Sequence, residues 1–131
     1  MTGRGNRTPG REPLSAMQQT VVVISKPTLG TTLPEDTGFG TEMLEKFLHS
    51  LEKHAPRPRA LLFMTEGVRV AVRGGPFDLP VGMLGGLGVR LLCCRTCLAH
   101  YGIAEDQVLG EVVGMDEMVH VMGQASKVLH L

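Results

Sequence analysis

Thr20-Val-Val-Val-Ile-Ser25 opens the ordered part of the chain. A β-branched run of this length, closed by Lys26-Pro27, reads as a strand apolar on both faces, the signature of a strand inside a parallel sheet. Two more short apolar runs follow at a distance, Arg59–Met64 (RALLFM) and Val89–Cys93 (VRLLC). Between the first two, Phe39, Met43, Leu44, Phe47, Leu48 and Leu51 recur at helical spacing. Asp36 or Thr37 is placed to cap that helix. Leu79–Leu87 reads as a glycine-interrupted helix and Thr96–His100 as a short one stopped at Gly102. Val108–Val113 reads as a short strand, and Lys127–Leu131 as a last one. Between them Met115, Met118, Val119, Met122 and Ala125 form a helical stripe. Strands alternating with helices imply an α/β fold with a mostly parallel central sheet covered on both faces. In such sheets ligands sit beyond the carboxyl ends of the strands. That points to three loops: Lys26–Asp36, Thr65–Gly67 and Cys93–Thr96.

At 131 residues the chain makes one domain with a tail. Residues 1–19 hold three Arg against one Glu and no apolar period, and read as a disordered tail before a domain spanning 20–131. The tail has no apolar core of a signal peptide, and no run of about 18 apolar residues exists to span a membrane. Thirteen Lys+Arg balance thirteen Asp+Glu, which argues against nucleic-acid binding through bulk charge. With no Trp, one Tyr and four Phe, stacking platforms for single strands are not expected either. Three cysteines, two of them adjacent, do not form a secreted disulfide framework and suit the reducing cytoplasm.

Those cysteines carry the densest chemical signal, Leu91-Leu-Cys-Cys-Arg-Thr-Cys-Leu98. Cys94-x-x-Cys97 falls where a strand passes into a helix. Free N–H groups at a helix start favour a thiolate, and Arg95 adds positive charge. A thiolate in a cleft is a nucleophile or a carrier of sulfur. The plainer alternative is that the cysteines fill core, and Cys93, which continues the apolar run, fits that description. A zinc site is disfavoured, because no second cysteine pair exists and His49, His54, His120 and His130 lack ligand spacing. A thioredoxin-like redox pair would normally follow the first strand of its fold. Haem attachment is excluded by Leu98, which stands where a histidine is required. Gly38-Phe-Gly40 is too sparse for a nucleotide loop. No metal and no cofactor is expected.

Further motifs run in order along the body: Val21–Ser25, Gly40 with Phe47-Leu-His-Ser-Leu51, Glu66-Gly-Val-Arg-Val-Ala71 and Gly88-Val-Arg-Leu-Leu92. They continue through Cys94-Arg-Thr-Cys-Leu98 with Tyr101-Gly102, and Leu109-Gly-Glu-Val112 with Met115. On these the body resembles the DsrE-like domain of the YedF family, sulfurtransferase-like proteins linked to selenium metabolism. The resemblance implies a three-layer, flavodoxin-like fold, and a helical rather than extended segment after Gly67. It also implies a sulfur relay in which Cys94 accepts a persulfide and Cys97 is its neighbour or resolving thiol. Arg95, Thr96 and Gly67 would line the loop that stabilises the thiolate. Sulfur donor and acceptor proteins, among them a TusA-like protein, are the implied partners, and a homo-oligomer the implied assembly. Three departures stand out: Arg95 where the family has a small residue, Thr65-Glu66 in place of an Asn, and Gly114 in place of another. Residues 1–19 are too short for the family's TusA-like domain and contain no cysteine. The alternative implied by these departures is a binding or assembly module that kept the fold and lost the chemistry.

Overall fold

The computed structural model describes residues 16–131. Five strands form one sheet: β1 (Thr20–Ile24), β2 (Ala60–Phe63), β3 (Arg90–Cys94), β4 (Glu111–Val113) and β5 (Lys127–His130). Their order is β4-β3-β2-β1-β5, and every adjacent pair is parallel. The helices are α1 (Phe39–Lys53), α2 (Asp78–Gly86), α3 (Arg95–His100) and α4 (Met115–Gln124). Thr65–Ala71 forms a 3₁₀ segment, as the resemblance implied, and Glu105–Gln107 a second, shorter one.

The apolar runs make the centre. Val21, Val22, Ile24 and all four residues of β2 are fully buried, as strands covered on both faces must be. Leu44 and Leu48 of α1 pack into this core, whereas Phe39, at the helix start, is half exposed. The first helix has no side-chain cap: Gly38, in a left-handed conformation at φ 80°, takes the position expected for Asp36 or Thr37. In α4 the buried stripe is rotated from the expected one. Met118 and Val121 face inward while Met115 and Val119 are exposed, because the helix must turn its face to β3.

Residues 1–15 lie outside the described residues. Residues 16–18, assigned to the tail from sequence, make a helical turn bonded to the body. Ala16 O accepts from the Thr20 hydroxyl at 2.7 Å, and Gln19 O accepts from Ser126 N at 3.0 Å.

The topology positions the site. From β1 to β4 the chain moves strand by strand in one direction, then returns across the sheet to β5. Because such crossovers are right-handed, α1 and α2 share one face and α4 lies on the other. The two consecutive strands whose following helices take opposite faces are β3 and β4. In open α/β sheets ligands bind beside such a pair of strand ends, and there Cys94 pairs with Val113.

Candidate functional site

Cys94 ends β3 and stands immediately before the first residue of α3, with Cys97 one turn further on. Helix α3 is short because Gly102, at φ 69°, reverses the chain. Ile103 N then bonds Leu98 O at 2.9 Å and Gly102 N bonds Ala99 O at 3.2 Å, a double closure of the last turn. The three thiols are free, with Cys93 and Cys94 buried and Cys97 half-buried.

Their surroundings differ. Cys93 points into the core, with its Sγ 3.6 Å from Leu109 O. Burial first, and the neighbouring Cys94 second, push its thiol up to about 12. Cys94 is 2% exposed. Cys97 lies at the surface of the pair, where its Sγ accepts a hydrogen bond from Thr65 N at 3.1 Å. Burial pushes the Cys97 thiol up, hydrogen bonding and charge at Cys94 add to that, and the Thr65 N–H pulls it down.

The other residues expected at the site separate into two groups. Gly67 is at the site but as a packing residue. Its N–H is bonded to Met64 O at 2.8 Å, and its bare Cα is pressed onto the end of β1. Thr96 is exposed beside the pair. Arg95 turns away: its Nε donates to Glu105 Oε2 at 3.2 Å and Nη2 to Val112 O at 3.1 Å. Its charge is paired with a carboxylate and is not directed at the thiols.

Two features were not legible in sequence. Thr65 supplies the one N–H that reaches a site sulfur among the described residues, and it does so from 32 positions away. Arg69 of the same 3₁₀ segment lies over the Tyr101 ring, 4.6 Å from its centroid, which ties the segment to the end of α3. The Tyr101-Gly102 pair pointed at this corner, but nothing in the spacing indicated Arg69. Further along the same rim, Ser25 Oγ and His130 Nε2 meet at 3.0 Å.

No three His, Cys, Asp or Glu side chains converge among the described residues. A cavity of about 650 Å³ opens at the opposite, amino end of the sheet, lined by Arg57, Arg59 and Arg90 among others. Two of these arginines already hold structure: Arg57 Nε donates to Glu52 O at 3.0 Å and Arg90 Nη2 to Glu111 Oε1 at 2.9 Å. The chemistry-bearing groups are at the carboxyl end, so the site is placed there.

Fold and site together define an all-parallel α/β domain with a cysteine pair at its switch point. Residues 31–131 match the model of the DsrE/DsrF-like family, and the chain belongs to that family, which is related to sulfur relay proteins. Among solved structures it is similar to the ychN protein from E. coli: 20% identity, TM-score 0.65, covering 88% of this chain and 100% of that one. It is also similar to MTH1491 from Methanobacterium thermoautotrophicum, a protein of unknown function: 22% identity, TM-score 0.59, covering 86% and 97%. No curated protein matches the sequence. No helix among the described residues is long and apolar enough to cross a membrane.

Proposed function

We propose that the chain is a persulfide carrier of a sulfur relay, with Cys94 as acceptor and Cys97 as resolving thiol. The observation that carries this reading is the position of two free thiols where β3 ends and α3 begins in a DsrE/DsrF-like domain. The Cys94 thiolate attacks the outer sulfur of a donor persulfide. The donor's S–S bond breaks, the donor leaves as a thiolate, and Cys94 holds an S–SH group. An acceptor thiolate then removes the outer sulfur. Without one, the Cys97 thiolate attacks the inner sulfur of Cys94 and hydrosulfide leaves. The Cys94–Cys97 disulfide that remains is reduced by an external thiol.

A TusA-like protein with its own cysteine is the donor in this proposal, and the finer kinship with YedF extends it to selenium. Copies of the chain assemble. The exposed Leu79, Met83 and Leu87 give α2 an uncharged strip suited to that, and sedimentation measures it.

The test is intact mass after incubation with a small-molecule persulfide, with and without reductant. Wild type gains about one sulfur, which reduction removes. Cys94→Ser gains none. Cys97→Ser loads and releases more slowly. Loading of Cys94→Ser but not Cys97→Ser reverses the two roles. A wild type that never loads favours the second reading, a binding or assembly module. Two observations speak for that alternative: Cys94 is 2% exposed, and Arg95 is engaged by Glu105.

A further inference from the structure

We propose that Thr65 is the positioning residue of the thiol pair. Its hydroxyl, tied to the end of β1, holds a left-handed backbone turn that aims the Thr65 N–H at Cys97 Sγ. It thereby sets how readily Cys97 acts on a persulfide at Cys94. The inference rests on the persulfide reading for that last step and on geometry for the rest.

Thr65 has φ 48°, and it is the one non-glycine residue at positive φ among the described residues. A β-branched side chain is a genuine outlier there and persists only where its surroundings over-determine it. They do so here. The Thr65 hydroxyl lies 2.8 Å from Ser25 O and 2.7 Å from Met64 O, with one proton to share between the two. Met64 N bonds Ile24 O at 3.0 Å, and Gly67 N bonds Met64 O at 2.8 Å. The whole turn is thus fastened to the carboxyl end of β1. The direction of the Thr65 N–H follows from Met64 ψ, 158°, and Thr65 φ, 48°. That direction ends 3.1 Å from Cys97 Sγ.

The chemical consequence follows from which form of the sulfur the bond favours. An N–H donor stabilises a thiolate more than a thiol, since the bond to an anion is charge-assisted. Helix α3 packs against β3 and the 3₁₀ segment, whose titratable side chains are Arg90, Cys93, Cys94, Glu66 and Arg69. Of these, Cys94 raises the Cys97 thiol rather than lowering it, Arg69 covers Tyr101 and Arg90 pairs with Glu111. On α3 itself Arg95 pairs with Glu105 and the His100 ring packs edge-on against Tyr101, and the one interaction that pulls the Cys97 thiol down is the Thr65 N–H. The Thr65 N–H is therefore the group that favours the Cys97 thiolate.

The experiment compares Thr65→Val, Thr65→Ser and Thr65→Gly in the full chain, reading alkylation of Cys97 by iodoacetamide against pH. Trypsin cuts after Arg95, which puts Cys97 on a different peptide from Cys93 and Cys94. Valine keeps the shape, removes the anchor and cannot hold the turn. Its rate–pH curve moves about one pH unit higher, and alkylation near neutral pH slows about tenfold. Serine keeps the hydroxyl, and glycine adopts positive φ without one, so both stay close to wild type. A valine variant that reacts like wild type overturns the proposal, as does a glycine variant as slow as valine. Alkylation of Cys93 reports unfolding; if valine unfolds, Thr65→Ala takes its place with the same expectation. Alkylation needs no persulfide. The expected pattern in a chain that never loads sulfur would sink the carrier reading alone, while normal loading with an unresponsive valine variant would sink this one alone.

Discussion

Gly67 lies so close to Ile24 that a Cβ on it would stand 1.8 Å from the Ile24 carbonyl oxygen. The 3₁₀ segment can therefore rest on the end of β1 only with glycine at this position. The obstacle is backbone, which cannot rotate away as a side chain would. This contact fixes the height of the Thr65 turn above the sheet, and with it the approach of Thr65 N–H to Cys97.

Gly67→Ala is expected to cost about 3 kcal/mol, the upper part of the usual range for overpacking. Urea unfolding checks it, as a lower midpoint at unchanged slope. The control is Gly123→Ala in α4, where a Cβ meets nothing within 4 Å. That variant should gain a few tenths to about 1 kcal/mol, from the helix preference for alanine. Equal midpoints for Gly67→Ala and wild type would mean that the end of β1 yields.

Stability should fall in alkali because of Cys93. Its thiol is raised by burial from 9.0 to about 12 in the folded chain. A raised value means that the stabilisation is complete below the unfolded value and is lost as pH climbs above it. Between about pH 9 and 12 the slope approaches ~1.4 kcal/mol per pH unit. Cys93→Ala should flatten that stretch of the stability–pH curve, while lowering stability at neutral pH through the lost sulfur contact. An unchanged slope in Cys93→Ala assigns the alkaline loss to other groups.

Arg95→Ala is expected to leave sulfur loading nearly unchanged and to cost less than ~1 kcal/mol, the worth of an exposed ion pair. The reason is geometric: the guanidinium sits on Glu105 Oε2 at 3.2 Å and on Val112 O at 3.1 Å. Loading rates from intact mass decide the point. A tenfold slower variant would mean that Arg95 turns toward the thiols when a donor docks.

A chain beginning at Thr20 should be less stable than one beginning at Ala16 by about 1–3 kcal/mol. Thr20 is 1% exposed, and its hydroxyl donates to Ala16 O at 2.7 Å. Without residues 16–19 that buried donor loses its acceptor, and Ser126 N loses Gln19 O. Thermal midpoints of the two chains measure the difference, and equal values would place the domain boundary at Thr20 after all.

The sequence by itself determined the architecture. Apolar β-branched runs such as Val21–Ile24 are strands because their side chains must be buried on both faces. Runs at 3.6-residue spacing, such as Leu44 and Leu48, are helices because one face only is buried. It also located the cysteine pair at a strand–helix junction, because that junction is local and is announced by its own residues. The 3₁₀ segment was different: only the family resemblance indicated a helical turn after Gly67. What the tertiary structure alone decided depends on groups far apart in the chain. The burial of Met118 and Val121 in α4, with Val119 exposed, follows from how the helix is set against β3, and neighbouring apolar residues leave more than one rotation open. Arg95 reads as a charge beside a thiol, yet a carboxylate ten residues on captures it, since a long side chain takes the best partner in reach. Thr65 falls in a loop the sequence marks, but its role is not legible there because it resides in a backbone N–H, which every residue but proline owns. Only the closure of the 3₁₀ segment onto β1 aims that N–H at a sulfur across 32 residues of sequence.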